Sequence, residues 1–245
     1  MIAHHGVACC FVDYRNSTTP ARPGDATGAF PAGLNDCASA VRWLSRPETR
    51  RALGLPLASS SRLVLAGESG GGNLAIATAL LLGRAGEAGL VDGVYAMCPF
   101  IGGLYPNPRF PSTARYDGIV LSSAAMSRYA AGYGDDLGDD PLAWPSVATR
   151  EELAVLPPLV VSLNEFDPLV DEGVDFYRRC VEAGVRARCV VLSGTVHGTD
   201  NFFSGLCPDI SRNTASAIAA LGRGDGVVVG GGVGREGRGG GAARL

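Results

Sequence analysis

The stretch of sequence that decides the fold is Gly67-Glu68-Ser69-Gly70-Gly71. The apolar run before it, residues 62–66, predicts a short buried strand, and the apolar residues 73–82 after it predict a helix buried against the centre of a sheet. A G-x-S-x-G pentapeptide is weak support alone, but a strand–turn–helix context is what a nucleophile elbow requires. Gly67 and Gly71 permit the sharp turn that lifts the serine clear of the sheet. A phosphate-binding glycine loop is disfavoured because no Lys-Ser or Lys-Thr pair follows.

Strand-like and helix-like runs alternate along the chain, which is the pattern of a parallel sheet with helices on its faces. The predicted fold class is therefore α/β, a mainly parallel sheet with helices on both faces. The other predicted strands cover residues 6–14, 91–98, 159–163 and 187–192, and the other predicted helices cover residues 34–44, 171–183 and 210–221.

Two segments break this alternation. Residues 100–157, rich in proline and tyrosine, form a long insertion between two strands, and such an insertion is usually a lid or a binding loop. Residues 222–245 are glycine-rich without apolar periodicity and are predicted to be a disordered tail. The predicted organisation is one catalytic domain, residues 1–221, with the insertion at about 100–157 as its lid.

Composition excludes several classes of protein. The 245 residues are 46% hydrophobic and only 18% charged, with a formal net charge of -3, so no basic patch for nucleic acid is expected. No apolar stretch approaches the roughly 18 residues that span a bilayer, and the first residues lack the basic flank of a secretory signal.

The seven cysteines form no C-x-x-C pair and are expected to be free buried thiols, Cys9 and Cys10 within the first strand and Cys180 on a helix face. A reducing cytoplasmic location fits.

A serine nucleophile needs a base to take its proton and a carboxylate that stabilises the protonated base. His197 follows the last predicted strand, at the end of the sheet where α/β sites form, whereas His4 and His5 precede the first strand. Asp167 follows the strand predicted at residues 159–163. The alternative acids Asp171 and Glu172 are better explained as acids in the first turn of the next helix. The order Ser69, Asp167, His197 is the order of α/β-hydrolases.

Four motifs together resemble the hormone-sensitive-lipase-type carboxylesterases, closest to the brefeldin A esterase branch. They are Gly67-Glu68-Ser69-Gly70-Gly71-Gly72-Asn73-Leu74-Ala75, Val12-Asp13-Tyr14-Arg15, Phe30-Pro31-Ala32-Gly33-Leu34-Asn35-Asp36 and Asp167-Pro168-Leu169-Val170-Asp171-Glu172-Gly173. The resemblance covers residues 6–221 and implies an α/β-hydrolase fold. It implies hydrolysis of short-chain esters through an acyl-enzyme on Ser69, with His197 as base, Asp167 orienting it and residues 100–157 as part of a cap. It implies no metal and no organic cofactor.

The sequence departs from this family at the oxyanion hole. Gly70 can supply one backbone N–H, but the family's His-Gly-Gly-Gly loop, upstream of the Asp-Tyr-Arg strand, is absent. His4-His5-Gly6 sits directly against the predicted first strand and is interpreted as the end of a helix. In the family, the strand leading to that loop lies between the Asp-Tyr-Arg strand and the Ser69 strand, so its absence would leave both without a shared partner. We therefore expect an N-terminally truncated version of a longer esterase.

Three functions remain open at this point. The first is a serine carboxylic ester hydrolase acting on a small-molecule ester, with no nucleic-acid or membrane partner, alone or as a homodimer. The second is a non-catalytic small-ligand receptor on the same scaffold, as in plant gibberellin receptors that have lost the catalytic histidine. The third is an inactive fragment. Retention of His197 favours the first, and absence of the oxyanion loop favours the other two.

Overall fold

The structure, a computed structural model, describes residues 2–18, 24, 27–56 and 61–223. It contains one four-stranded sheet with helices before, between and after its strands. In chain order the elements are α1 (Ala32–Leu44), α2 (Pro47–Ala52), β1 (Val64–Glu68), α3 (Gly70–Arg84), β2 (Gly93–Met97), α4 (Ser112–Arg115), α5 (Ser123–Tyr133), α6 (Arg150–Leu153), β3 (Leu159–Phe166), α7 (Val170–Glu182), β4 (Ala187–Val196), α8 (Thr199–Phe202) and α9 (Pro208–Arg223).

The sheet has the strand order β1-β2-β3-β4, and every neighbouring pair is parallel. Side chains of β2 alternate between the two faces, as the two-residue period of a strand requires. Val94 and Ala96 join the large apolar core that contains residues of α3 and α7, whereas Tyr95 packs with Ile218 of α9 on the opposite face. The predicted α/β class, with a parallel sheet between helical layers, is confirmed. The predicted helices and strands are present at about the predicted residues, with one exception. Helices α2, α4, α5, α6 and α8 are additional to the predicted ones.

The exception is the strand predicted at residues 6–14. Its residues form no strand with any other part of the described chain, and Phe11 is 92% exposed. A strand exists only through hydrogen bonds to a neighbour, and among the described residues β1 pairs with β2 alone. The strand prediction is therefore wrong because these residues have no neighbouring strand to pair with. The segment is held at its end by Arg15, whose guanidinium pairs with Asp36 of α1 at 2.7 Å.

The two ends of the chain also refine the sequence predictions. Residues Ile2–His5 form a short 3-10 helix, in agreement with the helical end predicted there. Helix α9 extends to Arg223, so residues 222 and 223, predicted to begin a disordered tail, are helical. Residues 224–245 lie outside the described residues.

All seven cysteines are free thiols, as predicted, but they are not all buried. Cys9 and Cys10 are exposed because the segment that carries them joins no sheet, while Cys180 is buried on α7. In the parts of the chain that the structure describes, no helix has the length and apolarity needed to cross a membrane.

The insertion at residues 100–157 has a small core of its own. Tyr105, Met126 and Trp144 pack together there, against Phe30 of the preceding loop and Leu169 at the start of α7. Asn73 of α3 connects the insertion to the sheet-and-helix part of the chain. Its buried side-chain amide donates to the carbonyls of Phe100, at 2.9 Å, and Ala143, at 2.8 Å.

We expect Asn73→Asp to lower the free energy of unfolding by about 3 kcal/mol. The substitution removes the donor from two carbonyls and places a carboxylate against them, and each unsatisfied buried group costs about 1–3 kcal/mol. Urea unfolding measures the change. Asn213→Asp, on an exposed position of α9, is the matched control and should change stability by less than about 0.5 kcal/mol. Equal effects of the two variants would contradict the role given to Asn73.

Candidate active site

Ser69 occupies a strained turn between β1 and α3. Its backbone angles, φ 56° and ψ -117°, lie outside the regions that non-glycine residues ordinarily adopt. Surrounding backbone bonds hold it there, because the Ser69 N–H donates to the Met97 carbonyl, and the Ser69 carbonyl accepts from the N–H groups of Asn73 and Phe100. The serine is half-buried at the N-terminus of α3, which is the geometry that a nucleophile elbow requires.

The glycines around Ser69 have different roles. A β-carbon on Gly67 would lie 2.1 Å from the Gly71 carbonyl oxygen, so the turn cannot close around any larger residue. A β-carbon on Gly72 would meet the Met97 carbonyl at 3.1 Å. Around Gly71 itself there is open space. The close backbone contacts of the turn therefore require glycine at Gly67 and Gly72. The sequence analysis attributed the sharp turn to Gly67 and Gly71.

Asp167 and His197 form a buried hydrogen-bonded pair at the carboxyl ends of β3 and β4. The Asp167 Oδ2 to His197 Nδ1 distance is 2.8 Å, with the two side chains 1% and 4% exposed. The other carboxylate oxygen, Asp167 Oδ1, accepts from the Leu169 N–H at 3.0 Å. With Nδ1 facing the carboxylate, Nε2 is the imidazole nitrogen left to accept a proton.

Parallel strands deliver Ser69, Asp167 and His197 to one edge of the sheet, because each residue follows the carboxyl end of a different strand. Within the described part of the chain, no hydrogen bond joins Ser69 Oγ to His197. Catalytic hydrogen bonds are often long without substrate and shorten in the reacting complex. The rival acids point elsewhere, since Asp171 accepts from the Ser112 N–H and Glu172 from the Ile101 N–H.

Gly70 begins α3, so its N–H belongs to the first turn, where amides have no intrahelical acceptor. Gly70 is exposed, and nothing lies within 4 Å of where its β-carbon would be. Gly70, the predicted oxyanion donor, therefore directly follows Ser69 in an exposed part of the turn.

Glu172 has a role that the sequence did not reveal. Instead of lying on the surface of the first turn of α7, it is fully buried, and its Oε1 accepts from the Ile101 N–H and from the Tyr105 hydroxyl. Burial raises the pKa of Glu172 to about 8. Glu172 therefore joins α7, which begins shortly after Asp167, to the start of the insertion.

The buried Glu172 should make stability depend on pH. A folded-state pKa near 8, against an ordinary value of 4.5, means that the folded state holds one more proton than the unfolded state between those values. Unfolding free energy then falls as pH rises through this window, by up to about 1.4 kcal/mol per pH unit. We expect urea unfolding at several pH values to show this fall for the native chain. Glu172→Gln, which mimics the neutral acid, should show a smaller fall of unfolding free energy with pH. A difference in unfolding free energy between the native chain and Glu172→Gln that does not change with pH would contradict the raised pKa of Glu172.

Cys98 is the second residue that sequence reasoning missed. It directly follows β2, is fully buried, and has a positive φ of 33°. Burial raises the pKa of its thiol well above the ordinary value, while the backbone N–H of Gly198, next to His197, acts in the opposite direction. Its sulfur lies within 4.8 Å of ligand atoms of both Asp167 and His197.

Glu68 adds a further acid beside the histidine. Burial raises the pKa of its carboxyl group, while the nearby His197 and a hydrogen bond from the Asn201 side chain act in the opposite direction. Its Oε2 is buried without a hydrogen-bond partner among the described residues. Glu68, the residue before Ser69, therefore contacts the loop that carries His197.

Comparison with known proteins agrees with this geometry. A family model described as the alpha/beta hydrolase fold matches residues 1–201. Esterase Est22 is similar in structure with a TM-score of 0.78 and 44% identity, over 86% of this chain and 60% of that one. Brefeldin A esterase, a bacterial homologue of human hormone sensitive lipase, has a TM-score of 0.77 and 39% identity, over 86% and 58% of the two chains.

The curated relatives are also esterases. Carboxylesterase NlhH of Mycobacterium tuberculosis is 30% identical over 215 residues, which are 86% of this chain and 62% of that protein. Esterase LipI of the same organism is 28% identical, over 86% and 61% of the two chains. The chain thus spans about three fifths of the length of the curated relatives it matches. The resemblance predicted from the four motifs is confirmed, and the chain belongs to the α/β-hydrolase-fold family, among proteins similar to hormone-sensitive-lipase-type carboxylesterases.

Proposed function

We propose that the chain is a serine carboxylic ester hydrolase acting on short-chain esters through an acyl-enzyme on Ser69. The observation that carries the proposal is the strained Ser69 elbow at the same sheet edge as the buried Asp167–His197 pair. Its relatives are esterases, and one solved structure of Est22 holds p-nitrophenol, the leaving group of a common ester substrate.

The mechanism follows from the placement of the three side chains. Ser69 Oγ attacks the ester carbonyl carbon while its proton passes to His197 Nε2. Asp167 holds the Nδ1–H and stabilises the imidazolium. His197 then gives the proton to the departing alkoxide, which leaves as the alcohol. Water attacks the acyl group with His197 again as base, and the carboxylic acid leaves with Ser69 restored.

The oxyanion hole limits the rate in this proposal. Gly70 supplies one N–H at the start of α3, and the sequence has no His-Gly-Gly-Gly motif to supply others. Loss of a single oxyanion donor lowers kcat by about 100- to 1,000-fold. We therefore expect turnover by residues 1–245 to be weaker than that of esterases with a complete set of donors.

Hydrolysis of p-nitrophenyl acetate tests the proposal directly. The native chain should release p-nitrophenol above the buffer rate, and Ser69→Ala should not, because it removes the attacking oxygen. Ser17→Ala, in the loop before α1, is a matched control that should retain turnover. Rates indistinguishable between the native chain and Ser69→Ala would remove the enzymatic proposal for this chain.

A small-ligand receptor on the same scaffold is the second candidate, because the sequence lacks the His-Gly-Gly-Gly motif. Saturable binding of p-nitrophenol to both the native chain and Ser69→Ala, with no turnover by either, would favour it. Absence of both binding and turnover would favour an inactive fragment.

The remaining parts of the proposal concern organisation and location. We assign the catalytic domain to residues 1–221 and part of a cap to residues 100–157, supported by the separate small core of that insertion. A small-molecule ester is the proposed partner, and a homodimer stays a prediction. A cytoplasmic location is supported by the free thiols, of which Cys9 and Cys10 are exposed, since exposed thiols persist in a reducing compartment.

A further inference from the structure

We propose that Cys98, Asp167 and His197 form a binding site for a thiol-seeking divalent cation such as Zn²⁺ or Cd²⁺, and that the bound ion inhibits the catalytic histidine. The proposed reaction does not use Cys98. Nevertheless its sulfur, a carboxylate oxygen of Asp167 and a ring nitrogen of His197 all lie within 4.8 Å of one another in the interior.

The distances suit a tetrahedral ion after small side-chain rotations. Zinc binds cysteine sulfur at about 2.3 Å and histidine nitrogen or carboxylate oxygen at about 2.0 Å, which places neighbouring ligand atoms about 3.3–3.8 Å apart. The Asp167 Oδ2 to His197 Nδ1 distance of 2.8 Å must widen by about half an ångström. The Cys98 sulfur lies at most 4.8 Å from the other two ligand atoms. It must therefore move toward them by about 1.5 Å or less.

The surroundings of the three ligands are negative. The carboxylates of Glu68 and Asp200 lie close enough to Cys98 to interact with its thiol electrostatically, as does Asp167. The buried Oε2 of Glu68 has no hydrogen-bond partner among the described residues. A desolvated cluster of carboxylates stabilises a cation, and thiolate and imidazole ligands select zinc-like ions over magnesium or calcium.

Binding exchanges protons for metal bonds with no change of oxidation state. The thiol proton leaves to solvent as the sulfur–metal bond forms. The Nδ1–H proton moves to Nε2 as the ion takes its place between Asp167 and His197, so the imidazole stays neutral and Nε2 carries the proton. With the Asp167 hydrogen bond lost and the ring turned toward the ion, His197 no longer accepts the Ser69 proton.

Cadmium titration tests the site without requiring activity. In a Cys9→Ser/Cys10→Ser background, which removes the exposed thiols, Cd²⁺ should raise the ultraviolet charge-transfer absorbance of a cadmium–thiolate bond and saturate at one ion per chain. Cys98→Ser in the same background should weaken binding by at least about tenfold, since even outer-shell substitutions cost 10- to 100-fold in metal affinity. Cys207→Ser, which removes a thiol outside the cluster, should bind as the background does. Circular dichroism checks that each variant folds.

Inhibition by the bound ion rests on the proposed function and is measured separately, as a loss of ester hydrolysis. Zn²⁺ should lower p-nitrophenyl acetate turnover of the background and should do so at least about tenfold less effectively in Cys98→Ser. Cadmium binding unchanged by Cys98→Ser, or absent from the background, would overturn the site. Should Cys98→Ser fail to fold, Asp167→Asn in the same background must weaken cadmium binding, and unchanged binding there would also overturn it. Cadmium binding with no turnover in any variant would contradict the enzymatic proposal and the inhibition, and leave the site supported.

Discussion

Gly67→Ala is expected to abolish esterase turnover and to lower the melting temperature, while Gly71→Ala leaves the fold intact. The added β-carbon at residue 67 would lie 2.1 Å from the Gly71 carbonyl oxygen, and the obstacle is backbone that cannot rotate away. The elbow must open, which moves Ser69 from its strained position. We expect a loss of more than about 3 kcal/mol, equivalent to a fall in Tm of roughly 6–12 °C.

Gly71→Ala provides the matched comparison. It lies in the same pentapeptide, but nothing occupies the space within 4 Å of its β-carbon position, so the methyl group fits without displacing the turn. Thermal unfolding followed by circular dichroism, together with p-nitrophenyl acetate turnover, separates the two variants. A Gly67→Ala protein with native Tm and turnover would show that the elbow is not as tight as described.

Asp167→Asn is expected to reduce kcat by about 10⁴-fold with little change in fold. The asparagine fits the same space and still accepts from the Leu169 N–H through its oxygen. Its amide group would then face His197 Nδ1, which forces that nitrogen to be the acceptor and places the ring proton on Nε2, where Ser69 needs a base. The loss should therefore appear in kcat rather than in unfolding free energy.

Asp171→Asn is the matched control, four residues away on α7. Asp171 accepts from the Ser112 N–H and takes no part in the pair with His197. Its replacement should leave kcat within a few-fold of the native value. Similar losses for both variants would indicate that any acid at this end of β3 supports the insertion rather than the imidazole.

Much of the site is predictable from the sequence because its chemistry is tied to strand ends. Ser69, Asp167 and His197 each follow a short apolar run, and parallel strands bring their carboxyl ends to one edge, so position along the chain implies position in space. The helices and strands around them follow apolar periodicity, which is strong where one face is buried.

What the sequence does not show depends on contacts between distant segments. Glu172 looks like a surface acid of a first turn, and only the approach of Ile101 and Tyr105 reveals that it is buried. Cys98 has a strained backbone and a neighbour, Gly198, that is 100 residues later in the chain. Residues 6–14 have the apolar pattern of a strand, but a pattern cannot supply the partner that a strand needs.

The central claim, that His197 and Asp167 activate Ser69 as a nucleophile, is tested most directly by covalent labelling with a fluorophosphonate ester. Serine oxygen attacks phosphorus and fluoride leaves, so the label remains on an activated serine without any need for turnover. Intact mass and peptide mapping should find a single adduct on Ser69, absent from Ser69→Ala and strongly slowed in His197→Ala and Asp167→Asn. An adduct on another residue, or no labelling of a folded native chain, would contradict the account.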